Sequence, residues 1–318
     1  MDMLKLSEEI INGRRLTGGE DKSFFITADL EALCKGADNI RRALCGDHVD
    51  LCSIINGRSG RCSENCKFCA QSAHNCTGVN EYGFLDEDAI LAECKHNTES
   101  GVHRFSIVTA GRTLSGSDFE KAVSAYKRMN SEYNIELCGS HGLLTDQQFR
   151  RLREAGVKRY HCNIETSRRN FPNICTSHTF DDKINCIKRA QAAGLEVCSG
   201  GIIGMGETWE DRIDMADTLA ALGVHSVPIN ALRPIKGTPF ENVPRLTEED
   251  ILRTVAIFRY ILPEANIRLA AGRDLMKNSG KQAFLSGANA TITGDMLTTS
   301  GNDISSDKEM LLSLNFSL

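Results

Sequence analysis

The 318-residue sequence predicts an α/β chain folded as a (β/α)8 TIM-type barrel with an N-terminal helical segment. Three observations carry that prediction. Eight apolar, strand-like runs recur along the chain, amphipathic stretches alternate with many of them, and several of those stretches open on a capping residue and close on glycine. Alternation of this kind implies parallel strands joined by right-handed crossovers. The count of eight runs favours closure over an open, doubly wound sheet.

The elements follow in order. Residues up to about 45 read as helical, with Leu4, Leu6, Ile10, Ile11, Leu30 and Leu33 spaced for packing. Strands are expected at 50–56, 102–110, 135–141, 159–166, 195–204, 226–232, 266–271 and 289–293. Helices are expected at 86–97, 117–129, 145–155, 181–193, 208–222 and 247–260. Ser117 with Glu120, Thr145 with Gln148 and Thr247 with Asp250 read as caps. Gly156, Gly194 and Gly223 stand just before the next strand. No linker or low-complexity stretch marks a second domain. The expected organisation is a helical segment at 1–45, the barrel at 46–300 and a covering segment at 301–318.

Composition narrows the function. Hydrophobic content of 41% with 25% charged residues is ordinary for a soluble globular protein. A net charge of −5 argues against nucleic acid or an anionic membrane as the main partner. There is no run of 18 apolar residues, and residues 1–15 lack the apolar core of a signal peptide. Thirteen cysteines in such a chain point to a reducing compartment, the cytoplasm, where thiols bind metal or stay free.

Cys62, Cys66 and Cys69 form a C-x3-C-x2-C run. Three thiolates this close can hold three irons of a [4Fe–4S] cube and leave the fourth open for chemistry. A structural zinc site is the alternative, with His74 or Cys76 as its fourth ligand. Position favours the cluster. The run follows the first strand, so it falls in a loop at the catalytic face of a barrel.

A second group is expected inside the barrel. Ser106, Cys138, Cys162, Cys198 and Arg268 each fall two to four residues into a strand run. At matched depth and inward parity they would form one layer. An arginine in a dry core needs an anion or several acceptors, and a sulfide-bearing iron cluster is such an anion. Cys175 lies in the loop after the fourth strand, near enough along the chain to fold over the same site. Cys34, Cys45, Cys52, Cys76, Cys94 and Cys186 have no such company in the sequence, and Cys94 and Cys186 read as helix thiols.

The triad, with Phe68 just before its last cysteine, resembles the signature of radical S-adenosylmethionine (SAM) enzymes. Over nearly its whole length the chain resembles the biotin synthase family within them. The resemblance is carried by residues 60–71, 160–167, 197–208, 227–231, 268–273, 287–289 and 297–299. It implies SAM cleavage to a 5′-deoxyadenosyl radical, hydrogen abstraction from dethiobiotin and sulfur insertion from an auxiliary iron–sulfur cluster. It also implies an electron donor such as flavodoxin or ferredoxin, and a homodimer.

Carried over by position, the resemblance gives Cys62, Cys66 and Cys69 to the SAM cluster. Phe68, Asn163, Glu165 and Gly204 fall to SAM, and Asn230, Thr298 and Thr299 to dethiobiotin. Cys138, Cys198 and Arg268 match three ligands of the auxiliary [2Fe–2S] cluster in the best-known branch, but Ser106 stands where that branch has a cysteine. A serine oxygen is a harder, less favoured iron ligand than a thiolate. A rebuilt, four-iron auxiliary cluster on Cys138, Cys175 and Cys198 beside Arg268 is therefore expected, with Cys162 as a possible further ligand. A relative without sulfur insertion, of hydrogenase-maturation or methylornithine-forming type, is the alternative. It would not need Cys138, Cys198 and Arg268 together.

Overall fold

A computed structural model describes residues 1–297 and 301–318. Nine strands form one all-parallel sheet: β1 (Asp50–Arg58), β2 (Arg104–Thr109), β3 (Glu136–Ser140), β4 (Val157–His161), β5 (Glu196–Cys198), β6 (Gly201–Ile203), β7 (Ser226–Ala231), β8 (Asn266–Leu269) and β9 (Ala290–Ile292). The order β5-β4-β3-β2-β1-β9-β8-β7-β6 is closed by a β5–β7 pairing at Cys198 and Ser226. β5 and β6 are two halves of one stave, so the barrel has the eight staves expected.

The broken stave has a steric cause. A Cβ on Gly200 would lie 1.9 Å from the Pro228 carbonyl oxygen, and one on Gly201 2.4 Å from that of Glu165. Pro228 also has no N–H for the ladder. The chain instead steps sideways, and Glu165 and Gly201 form an isolated bridge there.

The helices lie close to expectation at Glu87–Glu99, Gly116–Glu132, Asp146–Glu154, Phe180–Ala192, Trp209–Ala221 and Glu248–Ile261. Thr145–Gln148 and Thr247–Asp250 close full capping boxes. Ser117 is not a cap. Gly116 takes φ +59° and the helix begins there, with Ser115 at the N-cap and no side-chain cap bond. The fourth strand starts two residues before expectation and ends at His161, because the following residues turn through Glu165 at φ +70°.

Helix Leu30–Cys45 packs against both Met3–Ile11 and Glu248–Ile261, and the Tyr260 hydroxyl donates to the Met3 carbonyl at 2.8 Å. Helix Ile304–Ser313 is held by a bidentate Arg273–Asp307 pair at 2.8 Å on both arms. One hydrophobic core runs from Met3 to Phe316, so these segments cover the barrel without cores of their own. Among the described residues no helix is long and apolar enough to cross a membrane.

Candidate active site

The triad loop is pinned before any metal is considered. The Cys62 N–H donates to Gln71 at 2.9 Å, the Ala73 N–H returns to the Cys62 carbonyl at 2.8 Å, and the Lys67 N–H reaches the Ile174 carbonyl at 2.9 Å. The Asn75 amide donates to the carbonyls of Cys66 and Cys69 at 3.2 and 2.8 Å. Cys62, Cys66 and Cys69 thus come together over the mouth of a cavity of about 420 Å³, and all three line it. His74 and Cys76 do not complete a zinc site with them. The His74 ring bonds the Ser63 carbonyl, and Cys76 is exposed with its N–H on Gly237.

The SAM candidates sit on the wall below. Phe68, Asn163 and Glu165 line the cavity. Asn163 is fixed by accepting from the Gly200 N–H at 2.9 Å and by donating to the Glu165 carboxylate at 3.3 Å. Glu165 occupies the left-handed region at φ +70°, a sparsely populated conformation for a non-glycine residue. Three backbone contacts hold it there. Its N–H donates to Gly200, its carbonyl accepts from Ile202, and Gly201 leaves room for that carbonyl. Gly204, at φ +94°, gives its N–H to Glu207 at 2.7 Å and is not brought to the cavity wall. Asn230 lines the cavity with its amide shared between the Gly201 carbonyl and the Ala271 N–H. Thr298 and Thr299 lie outside the described residues.

The barrel floor differs from the expected layer in two ways. Cys138, Cys198, Ser106 and Arg268 do face the cavity, but Cys162 does not. His161, its neighbour on β4, is the inward residue, and Cys162 packs outward beside Cys186 of helix Phe180–Ala192. Cys175 is not brought to Cys138 and Cys198 either. Its thiol lies 3.7 Å from that of Cys66, at the mouth, because the Asn65 amide oxygen binds the backbone of Thr176 and Ser177.

Cys52, not among the expected cavity residues, also lines the floor. It lies on β1 beside Arg104 of β2, two residues deeper than the Ile54–Ser106 pairing, and lines the same cavity as Cys138 and Cys198. The signal was available in the alternation of β1, where Asp50 to Ile54 places Cys52 and Ile54 on one face. Which face was inward required the register with β2.

Below these thiols, three guanidiniums share one buried carboxylate. Asp50 accepts from Arg268 at 2.8 Å, from Arg104 at 2.9 Å and from Arg159 at 3.4 Å. Burial alone would raise the Asp50 pKa, but Arg268, Arg104 and Arg159 outweigh it and hold the carboxyl far below the usual range. Burial likewise opposes a Cys198 thiolate, yet the hydrogen bond and charge of His161, together with Arg268, bring it down to about 6. Soft thiol donors over a cationic, water-poor floor suit an anionic iron–sulfur cluster. The three clustered thiols at the mouth suit an open-iron cluster.

Comparison with known proteins agrees with this geometry. The Radical SAM superfamily model matches residues 58–219, and that of the Biotin and Thiamin Synthesis associated domain matches residues 228–317. A biotin synthase of Alkaliphilus metalliredigens is 65% identical over 318 residues, covering 100% of both chains. One of Clostridium beijerinckii is 65% identical over 316 residues, covering 99% of this chain and 100% of its own. Among solved structures, methylornithine synthase superposes with a TM-score of 0.84 at 21% identity, over 98% of this chain and 96% of that one. An [FeFe]-hydrogenase maturase superposes with a TM-score of 0.80 at 17% identity, over 99% of this chain and 74% of that one. At those identities the likeness speaks for the fold alone.

Proposed function

The chain belongs to the biotin synthase family of radical SAM enzymes, and on that premise we propose that it converts dethiobiotin to biotin by sulfur insertion. One observation carries the reading: two thiol groups face each other across a single cavity. Cys62, Cys66 and Cys69 stand at the mouth, and Cys52, Cys138 and Cys198 stand on the floor beside Arg268. When bound, a [4Fe–4S] cluster with SAM supplies a hydrogen-abstracting carbon radical, and the floor cluster supplies sulfur.

The protein's own groups bind and orient. The Glu165 carboxylate, aimed by Asn163, accepts from the ribose hydroxyls of SAM. Phe68, on the cavity wall, would meet the adenine through its backbone, as the family resemblance implies. Asn230, on the cavity wall, would hold dethiobiotin between mouth and floor, and the family resemblance assigns Thr298 and Thr299 to the same substrate. The closed barrel keeps water from a carbon radical, and the Ser226 hydroxyl donates to the Cys198 sulfur at 3.3 Å. Flavodoxin or ferredoxin as electron donor, a homodimer and a cytoplasmic setting belong to the same reading.

For the floor we favour a four-iron cluster on Cys52, Cys138 and Cys198, with one iron free of cysteine. Arg268 supports this through its own bonding. Its Nη1 donates to the carbonyls of Asp50 and Thr291, and its Nη2 to the Asp50 carboxylate. A guanidinium committed in this way offers charge and not a lone pair. A relative without sulfur insertion would have no use for the floor thiols.

Anaerobic iron counting with Mössbauer typing tests the proposal. About eight irons per chain are expected for two four-iron clusters, and about six would favour a two-iron floor cluster. If SAM is cleaved but added dethiobiotin alters neither rate nor product, the biotin reading fails.

A further inference from the structure

Cys175 stands behind the cavity wall, against one cysteine of the triad. It follows the short helix Phe171–Ile174 and is 3% exposed. Its Sγ lies 3.7 Å from Cys66 Sγ. Cys66 lines the cavity, and Cys175 is not part of that lining. The two thiols thus meet through the wall, one open to the cavity and the other buried behind it.

Two loops are pinned together around this contact. The Lys67 N–H donates to the Ile174 carbonyl at 2.9 Å, one residue along the chain from each cysteine. On the other flank, the Asn65 amide oxygen accepts from the backbone N–H groups of Thr176 and Ser177 at 2.9 and 3.0 Å. The backbone on both sides of the pair is therefore set in advance. A disulfide bond is about 2.0 Å long, so the sulfurs have only to close from van der Waals contact. Rotation of the two side chains supplies that movement.

The neighbours of Cys175 leave its sulfur available. Asn65 Oδ1, Ser177 Oγ and His178 Nδ1 lie 3.4, 3.5 and 3.3 Å from it. His178 Nδ1 is already engaged by Glu64 at 2.5 Å, so the imidazole shapes the pocket and shares no metal with the thiol.

We propose that Cys66 and Cys175 are a dithiol–disulfide pair, closed in the cluster-free chain by a small-molecule disulfide. The exchange takes two steps. The Cys66 sulfur, open to the cavity, attacks the S–S bond of the reagent, forms a mixed disulfide and releases one thiolate. The Cys175 sulfur then attacks the Cys66 sulfur, forms the internal bond and releases the second thiolate. Two protein thiols are oxidised, one disulfide is reduced, and the two protons pass to the released thiolates. The new bond draws the Cys66 sulfur back from the cavity, so the bridge and the mouth cluster exclude each other. Only that exclusion rests on the radical SAM reading of the triad.

The test equilibrates cluster-free, reduced protein anaerobically with mixtures of reduced and oxidised glutathione. Free thiols are then alkylated, and cysteine-linked peptides are mapped by mass spectrometry. One internal bridge, Cys66 to Cys175, is expected, favoured at least about tenfold over any bridge to Cys62 or Cys69 and reopened by dithiothreitol. It should form unchanged in Cys62→Ala and in Cys69→Ala. Cys175→Ser should instead hold glutathione on Cys66. Should Cys175→Ser fail to fold, the wild-type map decides alone. A wild type that stays reduced, that stops at the mixed disulfide, or that links Cys66 to Cys62 or Cys69 overturns the proposal. Protein loaded with the mouth cluster should form no bridge at the same glutathione ratio while it keeps its iron. Equal bridging with the iron kept removes the exclusion. The mapping uses no cluster, so its failure leaves the radical reading standing, and failure to build the cluster leaves the bridge standing.

Discussion

The two thiol groups of the cavity are made in opposite ways. At the mouth, Cys62, Cys66 and Cys69 lie within eight residues of one loop, and hydrogen bonds from the Asn75 amide and to the Gln71 and Ile174 carbonyls set that loop's shape. On the floor, Cys52, Cys138, Cys198 and Arg268 come from β1, β3, β5 and β8, and barrel closure sets their positions. The mouth is local and adjustable. The floor is global and fixed, so its chemistry changes only by placing a different side chain on an existing stave.

This contrast breaks most sharply at the triad. Cys69→Ala is expected to reduce 5′-deoxyadenosine formation to background while leaving the thermal midpoint near that of wild type, because the loop carries little of the core. A large fall in the midpoint would mean that the mouth is not local.

Cys52→Ala comes next. It should remove the floor iron and biotin formation while SAM cleavage persists, and Ser106→Ala should leave the iron count unchanged. Restoring a thiol with Ser106→Cys in the Cys52→Ala background should recover part of the floor iron if the staves are interchangeable supports. Full iron in Cys52→Ala alone would remove Cys52 from the site.

Asp50→Asn tests the fixed floor from beneath. Taking the charge from a carboxylate that serves three buried guanidiniums should cost about 3–5 kcal/mol, seen as a lower urea midpoint. An unchanged midpoint would show that water reaches the floor. The smallest effect belongs to the mouth. Asn75→Ala removes two hydrogen bonds at about 1 kcal/mol each, and should slow cluster reconstitution severalfold with little change in global stability.

The same contrast explains what could be read from the chain in advance. The staves and helices were legible because each carries its own period, caps and glycine stops. The triad was legible because its spacing is contiguous. Cys52 was not, since nothing around it distinguishes an inward cysteine from a buried one until β1 is paired with β2. Cys162 and His161 are adjacent, and a one-residue difference in parity reverses which of them faces the cavity. Cys175 failed for another reason. Its place in a loop after β4 is compatible with either thiol group, and the Asn65 clamp that chooses between them joins residues 110 positions apart or more. Ser117 missed its cap because the positive φ of Gly116 starts the helix one residue early.

β1 belongs to both sites. Its inner face carries Cys52, and its far end feeds the loop that carries the triad. A slip of one residue in its pairing with β2 would turn Cys52 out of the barrel and draw the loop out of place together. Such a misfolded protein would have no place for iron at either end and would be colourless. The brown of a fully loaded preparation thus gauges folding fidelity: it reports, by eye, the fraction of molecules whose first strand found its proper partner.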